Sequence, residues 1–104
     1  MSYRTILSSE AIATLASLDY ATLDEVERHL RLLEDSPATL SRPSTFPWPP
    51  GCQVYEFRVD LGLETWTHFN VQFRYGQDEE TLQVLVIGRV TYRREDTEDW
   101  IDSL

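Results

Sequence analysis

The sequence has no lysine, a single cysteine and only four glycines. Because Cys52 cannot close an intramolecular disulfide, we expect it to fill apolar space in a reducing, cytoplasmic setting. No apolar run is long enough to cross a bilayer, and the polar N-terminal segment lacks the apolar core of a signal peptide. These absences predict a soluble, unprocessed protein that does not enter a membrane.

Residues of the metal-binding and phosphate-binding types are also scarce. The two histidines, His29 and His68, are far from each other and from Cys52 in sequence, which argues against a metal site. There is no glycine-rich phosphate loop and no glycine-flanked serine nucleophile. A chain of 104 residues holds one modest core rather than separate cofactor and substrate lobes. We therefore expect neither a metal nor another cofactor.

Acidic residues outnumber basic ones: nine arginines stand against 18 aspartates and glutamates, giving a formal net charge of −9. Such a field repels phosphate backbones and disfavours broad binding to nucleic acid or to an anionic membrane surface. A local group of arginines can still hold one phosphate against this field. Composition alone therefore leaves the function open.

The first third of the chain predicts a strand followed by a helical hairpin. Alternating residues predict a strand over Ser2–Leu7, and apolar residues at helical spacing predict a helix over Ser9–Leu18. Thr22 and Glu25 match the reciprocal capping pattern and predict the start of a second amphipathic helix. This helix is expected to end near Ser36, because proline follows. The charged neighbours of His29 predict that it is a surface residue.

Residues 38–51 contain four prolines together with Phe46 and Trp48, so we predict no regular secondary structure there. Two interpretations remain. Either both rings pack back onto the core, or the segment is an exposed docking element of extended chain in which Trp48 contacts a protein partner. We favour packing, because exposed tryptophan is unusual on a soluble monomer.

The second half switches to a period of two. The segments Val54–Leu61 and Thr65–Tyr75 predict half-buried antiparallel strands, and Leu82–Ile87, apolar on both faces, predicts a central strand continuing towards Tyr92. The helical hairpin is expected to cover the apolar face of this sheet. That face is formed by Tyr55, Phe57, Phe69, Val71 and Phe73.

The other face of the predicted sheet is polar. It presents Arg58, His68, Asn70, Gln72 and Arg74, and we expect Arg89 to join it from the neighbouring strand. Such a row can serve as an anion or RNA site, in which His68 alone titrates near neutrality. Alternatively, the arginines pair with Glu56 and other carboxylates on a solvated face. The excess of acids favours pairing.

Residues 95–104 carry five acidic residues, with Trp100, Ile101 and Leu104 spaced as on a helical turn. We interpret residues 1–94 as a single domain and residues 95–104 as an acidic C-terminal tail. The tail is either solvated or an amphipathic segment in which Trp100 and Ile101 bind a protein partner.

The order of elements resembles the RelE/ParE superfamily of type II toxin–antitoxin toxins from about Tyr3 to Arg94. Three stretches carry the resemblance: paired helices ending at a Ser-Pro stop, the strand Val54–Val59 with aromatic and basic residues, and the apolar strand Val84–Arg89 ending in arginine. The resemblance implies an α+β fold. In it, a two-helix hairpin packs on one face of a mostly antiparallel sheet of about four strands.

The resemblance also implies an activity and a residue set. RelE-type members cleave messenger RNA in the ribosomal decoding site, whereas ParE-type members act on DNA gyrase. By resemblance, Arg89 matches the arginine after the last core strand and Arg58 a basic position on the first strand of the meander. Tyr92 stands in for a C-terminal tyrosine. His68 lies where the ribonucleases commonly have arginine, so an imidazole replaces a permanent cation.

These four residues form the implied catalytic set, and Asn70 and Arg74 are the implied substrate-binding residues. An antitoxin or another protein is the expected partner, with RNA or the ribosome as the expected target. The absence of lysine and the net charge of −9 oppose approach to ribosomal RNA. The alternative is therefore a catalytically silent, acidic protein-interaction module of the same fold, anchored through Trp48 and Trp100.

Overall fold

The computed structural model describes residues 2–94, within which three helices and five strands are defined. The helices are α1 (Ser9–Ala16), α2 (Tyr20–Asp35) and the single turn α3 (Pro37–Leu40). The strands are β1 (Arg4–Leu7), β2 (Arg42–Pro43), β3 (Cys52–Val59), β4 (Thr65–Tyr75) and β5 (Thr81–Arg93). In this part of the chain, no helix is long and apolar enough to span a bilayer. The tail, with Trp100 and Ile101, lies outside the described residues.

The strands form one sheet, in the order β1-β5-β4-β3-β2. Strand β1 runs parallel to β5, and the other pairs are antiparallel. The expected α+β fold, with a helical hairpin on a mostly antiparallel sheet, is confirmed. Over residues 2–94 the sheet has five strands rather than about four, because Arg42 and Pro43 pair with Val54 and Gln53. The segment 38–51, expected to be irregular, thus begins with the end of α3 and an edge strand.

A serine fixes the start of α1 against the sheet. The Ala11 N–H donates to Ser8 Oγ at 3.0 Å, as in a side-chain N-cap. The same Oγ donates to the Leu85 carbonyl of β5 at 2.6 Å. One hydroxyl therefore both caps the helix and attaches it to the central strand. The helix ends at Ala16, two residues before the expected Leu18.

The start of α2 differs from the expected capping pattern. The helix begins at Tyr20 after Asp19, and the Leu23 N–H donates to the Asp19 carbonyl at 2.9 Å. Thr22 thus lies inside the first turn and is not the cap. Glu25 instead pairs with Arg28 one turn later at 2.7 Å. The predicted reciprocal cap was wrong because three more residues join the helix, which leaves a shorter connection from α1.

The core lies between the two long helices and one face of the sheet. The helices contribute Ala11, Val26, Leu30 and Leu33, and the sheet contributes residues of β3, β4 and β5. Phe69 and Phe73 of β4 are fully buried, and burying such a side chain stabilises the fold by about 1.5–3 kcal/mol. The apolar face predicted from the alternation is therefore the face that the helices cover. Cys52 is a buried free cysteine, as expected.

His29 belongs to the interface between α2 and β3 rather than to the surface. Its Nδ1 lies 2.6 Å from the Tyr55 hydroxyl, and its ring stacks on Phe57 with centroids 4.1 Å apart. Arg28 and Arg31, which flank His29 in sequence, face solvent. The rotation of about 100° per residue along α2 turns His29 towards β3 instead. The expectation of a surface histidine was wrong for this reason.

Candidate functional site on the open sheet face

The register of the strands separates two faces of the sheet. Directly opposite residues of an antiparallel pair share a face. Arg58 is opposite His68, Glu56 is opposite Asn70, and Val54 is opposite Gln72. These residues point away from the helices, together with the β5 residues opposite them. We call this the open face; it also includes Trp66 and Arg74 of β4, and its β5 members are Gln83, Val86, Gly88, Val90 and Tyr92.

Arg89 does not join the open face. It lies opposite Phe69, which is fully buried in the core, so Arg89 points to the helix side of the sheet. The apolar run of β5 has no readable alternation, and a register shift between Gln72 and Phe73 changes the pairing there. The expectation that Arg89 stands beside Arg58 was wrong for these reasons. Three of the four implied catalytic residues, Arg58, His68 and Tyr92, share the open face.

One end of the open face is a stack of two rings and a guanidinium. Arg58 Cζ lies 4.2 Å from the centre of the Trp66 ring, and Trp66 stacks on Tyr92 with centroids 4.5 Å apart. A cation over an exposed ring contributes about 0.5–1 kcal/mol. Trp66 lies two residues before His68 on β4 and so shares its face, but its contact with Arg58 and Tyr92 requires the register of three strands. The stack therefore joins Arg58 of β3 and Tyr92 of β5 through the Trp66 ring.

A carboxylate neutralises the cations at this end. Asp60 accepts from Arg58 Nη2 at 2.9 Å and from Arg94 Nη2 at 2.5 Å. Arg94 also donates to the Leu63 carbonyl, so it ties the end of β5 to the β3–β4 turn. The Arg58 guanidinium, then the Gly62 N–H and Arg94, hold the pKa of Asp60 well below its usual range. Asp60 is therefore ionised at neutral pH.

The middle of the open face pairs a histidine with a second carboxylate. His68 Nε2 lies 3.5 Å from Glu56 Oε2, and Glu56 also accepts from Arg42 of β2. An imidazole within reach of a carboxylate is an arrangement used for general acid–base catalysis. Each of these exposed pairs contributes at most about 1 kcal/mol to stability. Within residues 2–94, no three His, Cys, Asp or Glu side chains gather to hold a metal ion.

Two amides continue the row from His68 along β4. A Cβ at Gly88 would lie 2.7 Å from Asn70 Nδ2, so the absence of a side chain at Gly88 leaves the space in which this amide lies. Gln72 Oε1 accepts from Ser44 Oγ at 2.7 Å, and Gln72 Nε2 lies 3.5 Å from Asn70 Oδ1. Both amides are thus positioned by their neighbours.

Arg74 lies at the far end of the row. Its Nε donates to Gln83 Oε1 of β5 at 2.7 Å. Six residues of strand separate it from His68, or about 20 Å at the usual rise of a β-strand. Arg74 is therefore on the expected face but too far along it to share a single phosphate with His68.

The segment after β2 forms one wall of a pocket of about 260 Å³ over the open face. We call it the loop pocket. Its loop side includes Ser44, Phe46 and Trp48, and its sheet side includes Glu56, His68, Asn70 and Gln72. Trp48 is half-buried, but Phe46 is 95% exposed. The expectation that both rings pack onto the core was therefore wrong for Phe46.

The sequence matches no protein-family model and no curated protein. Two solved structures are similar to it over nearly their whole length. One is a chain of the Mycobacterium tuberculosis RelBE2 toxin–antitoxin complex, 15% identical, with a TM-score of 0.65 over 86% of this chain and 100% of that one. The other is the isolated Escherichia coli RelE toxin, 13% identical, with a TM-score of 0.62 over 99% of this chain and 100% of that one.

The intact Escherichia coli RelBE complex is a further similar structure, 13% identical with a TM-score of 0.57 over 84% of this chain and 95% of that one. At these identities the likeness shows the fold. The chain has the RelE-like toxin fold, as the order of its elements implied.

Proposed function

We propose that this protein, with its RelE-like fold, is the toxin component of a type II toxin–antitoxin system and that its open face meets the target. One observation carries the proposal: the fold agrees with the whole length of an isolated RelE toxin. Similarity to chains of toxin–antitoxin complexes supports an antitoxin as the protein partner. We propose a cytoplasmic setting, in keeping with the lone buried thiol.

Messenger RNA on the ribosome is the target that the open face supports best. Strand cleavage by a 2′-hydroxyl needs a group that accepts its proton and a cation at the scissile phosphate. His68 and Arg58 are directly opposite each other on β4 and β3. In our proposal His68 accepts the 2′-hydroxyl proton as O2′ bonds to phosphorus, the P–O5′ bond breaks, and the leaving 5′-oxygen takes a proton from water. Arg58 holds the phosphate, and Tyr92 supports Arg58 through Trp66. Asn70 contacts the substrate beside His68.

A second candidate is a catalytically silent interaction module. The observation that favours it is that carboxylates already engage both side chains: Arg58 pairs with Asp60, and His68 lies beside Glu56. A phosphate that approaches this face must compete with those carboxylates. In that case the protein binds a partner tightly and leaves RNA intact.

Induced expression in a bacterial host tests the proposal. Growth and message integrity are followed for the wild type and for His68→Ala, Arg58→Ala and Arg89→Ala, with Arg31→Ala on the exposed side of α2 as the arginine control. Loss of a general base lowers the rate of cleavage by about 10²–10⁴-fold. We expect arrest and cleavage in the wild type and in Arg31→Ala, and neither in His68→Ala or Arg58→Ala. Arg89→Ala tests the role that the resemblance gives to Arg89.

Three results separate the candidates. Arrest with cleavage that His68→Ala abolishes supports the nuclease. Arrest with intact messages contradicts the nuclease and points to a protein target such as gyrase. Normal growth, with soluble wild-type protein in the cell, contradicts the toxin and favours the interaction module.

A further inference from the structure

The loop pocket presents an aromatic ring that the described part of the chain leaves in water. Phe46 is 95% exposed, although its loop is attached to the sheet on both sides. The Ser44 N–H donates to the Cys52 carbonyl at 2.9 Å, and the Cys52 N–H donates to the Pro49 carbonyl at 3.3 Å. Cys52 and Val54, which lie on the open face beneath this loop, are buried. An attached loop that carries an exposed ring is a ready surface for stacking.

The floor of the pocket is polar, with its charges balanced. Asn70 and Gln72 each carry both donor and acceptor groups; Ser44 binds Gln72, and Asn70 lies in the space that Gly88 leaves. Glu56 already binds Arg42 and lies beside His68. A further cation, such as an arginine from a partner, would compete with these two groups for the same carboxylate. The pocket is therefore better suited to an uncharged ligand with a polar edge.

We infer, on the premise that the open face meets its target as proposed above, that the loop pocket binds one nucleobase. The base stacks on Phe46, and the amides of Asn70 and Gln72 hydrogen-bond to its edge. Stacking and edge contacts of this kind recognise unpaired bases. A volume of about 260 Å³ is just below the usual 300–1,000 Å³ of small-ligand sites, which suits a single base.

These contacts involve little net charge, so the protein can use them despite its net charge of −9. Arg42 is the one arginine among the residues that line the pocket, and in our proposal it contacts the phosphate attached to the base. One phosphate contact to a single strand predicts that affinity falls only about threefold between roughly 50 and 200 mM salt.

The test measures binding to the purified full-length protein by calorimetry. The probes are the four nucleoside 5′-monophosphates, short single-stranded RNAs that each contain one type of base, and a tri-arginine peptide that represents a cationic partner. Phe46→Ala removes the ring, and Tyr20→Ala is the matched control, because Tyr20 is an 88% exposed ring on α2. Stacking on one ring contributes about 1–3 kcal/mol, so we expect Phe46→Ala to weaken binding at least fivefold and Tyr20→Ala to leave it unchanged.

A second variant, Gln72→Glu, keeps the acceptor for Ser44 and removes the amide donors. We expect the ratio of affinities between the base that the wild type prefers and the other bases to change by about tenfold. A bidentate edge contact discriminates between bases by about 1–3 kcal/mol. This variant is informative even if Phe46→Ala alters the loop.

Binding by monophosphates identifies a nucleotide site, and binding by the strands alone identifies an RNA site; both support the inference. It is overturned if no probe binds, if Phe46→Ala and Gln72→Glu both bind as the wild type does, or if a tri-arginine peptide binds and the nucleotides do not. The growth assay is separate from the binding assay. Growth arrest without nucleotide binding supports the toxin function and contradicts the base-binding site. Nucleotide binding without growth arrest supports the base-binding site and contradicts the toxin function.

Discussion

His29 is the titratable residue whose surroundings sequence reasoning missed. It stacks on Phe57 and contacts the Tyr55 hydroxyl at 2.6 Å. Burial first, and then the charge of Arg28, lowers the pKa of His29 below its usual value, while Glu25 acts in the opposite direction. Burial raises the pKa of Tyr55, which keeps its hydroxyl protonated as a donor. The folded protein therefore favours the neutral imidazole.

This preference predicts that acid weakens the fold. The unfolded chain takes up the proton near pH 6.5 and the folded chain only at lower pH, so stability is full above about pH 6.5. It declines as the pH falls through the lower folded pKa. We expect the free energy of unfolding in urea to fall between about pH 7 and pH 5, and to fall less in His29→Gln. Equal losses in the two proteins would show that His29 does not carry this dependence.

At the scale of elements, the β4–β5 turn is held by its own side chains. Asp78 Oδ1 accepts from the Glu80 and Thr81 N–H groups and from Thr81 Oγ1, at 3.0–3.2 Å. These bonds lower the pKa of Asp78, the Glu80 N–H contributing most. The Gly76 N–H closes the turn onto the Thr81 carbonyl at 2.8 Å. The turn therefore leaves no room for a side chain at Gly76.

Two glycine substitutions test this. A Cβ at Gly76 would lie 2.0 Å from Thr81 Oγ1, and Thr81 is buried and held by Asp78. We expect Gly76→Ala to lower the free energy of unfolding by about 1–3 kcal/mol. In Gly88→Ala the new methyl group contacts only the end of the half-exposed Asn70 side chain. We therefore expect a smaller decrease in the free energy of unfolding than for Gly76→Ala. Thermal unfolding of both variants makes the comparison, and a larger loss for Gly88→Ala would contradict it.

At the scale of the whole molecule, the last ten residues carry a large share of the negative charge. Truncation after Arg94 removes five of the 18 acidic residues and leaves the described sheet and core. We expect the shortened protein to unfold cooperatively near the wild-type temperature. Because repulsion falls, it should bind single-stranded RNA several times more tightly at low salt, and the difference should vanish at high salt.

Two results would contradict this prediction. Loss of cooperative unfolding would place the domain boundary beyond residue 94. Equal RNA affinities at low salt would show that the tail does not act through its charge.

The alternation of polar and apolar residues was sufficient to predict most of the sheet. The bounds of β4, Thr65–Tyr75, agree with the prediction, and its buried face holds Phe69, Val71 and Phe73 as expected. A strand with one buried face must alternate, so both the element and its inward residues can be read from the sequence. The same alternation placed Arg58, His68 and Asn70 on one polar face.

The sequence by itself determined the order of β1, the helical hairpin, β3, β4 and β5, and the two faces of β3 and β4, because local periodicity records them. Only the tertiary structure decided the long-range pairings. It placed β1 beside β5, Arg42 beside Val54, and Arg89 opposite Phe69 on the helix side. An apolar run does not show which of its residues face the helices, and a single register shift moves a side chain to the other face of the sheet. For the same reason, the loop pocket exists only once the strands are paired.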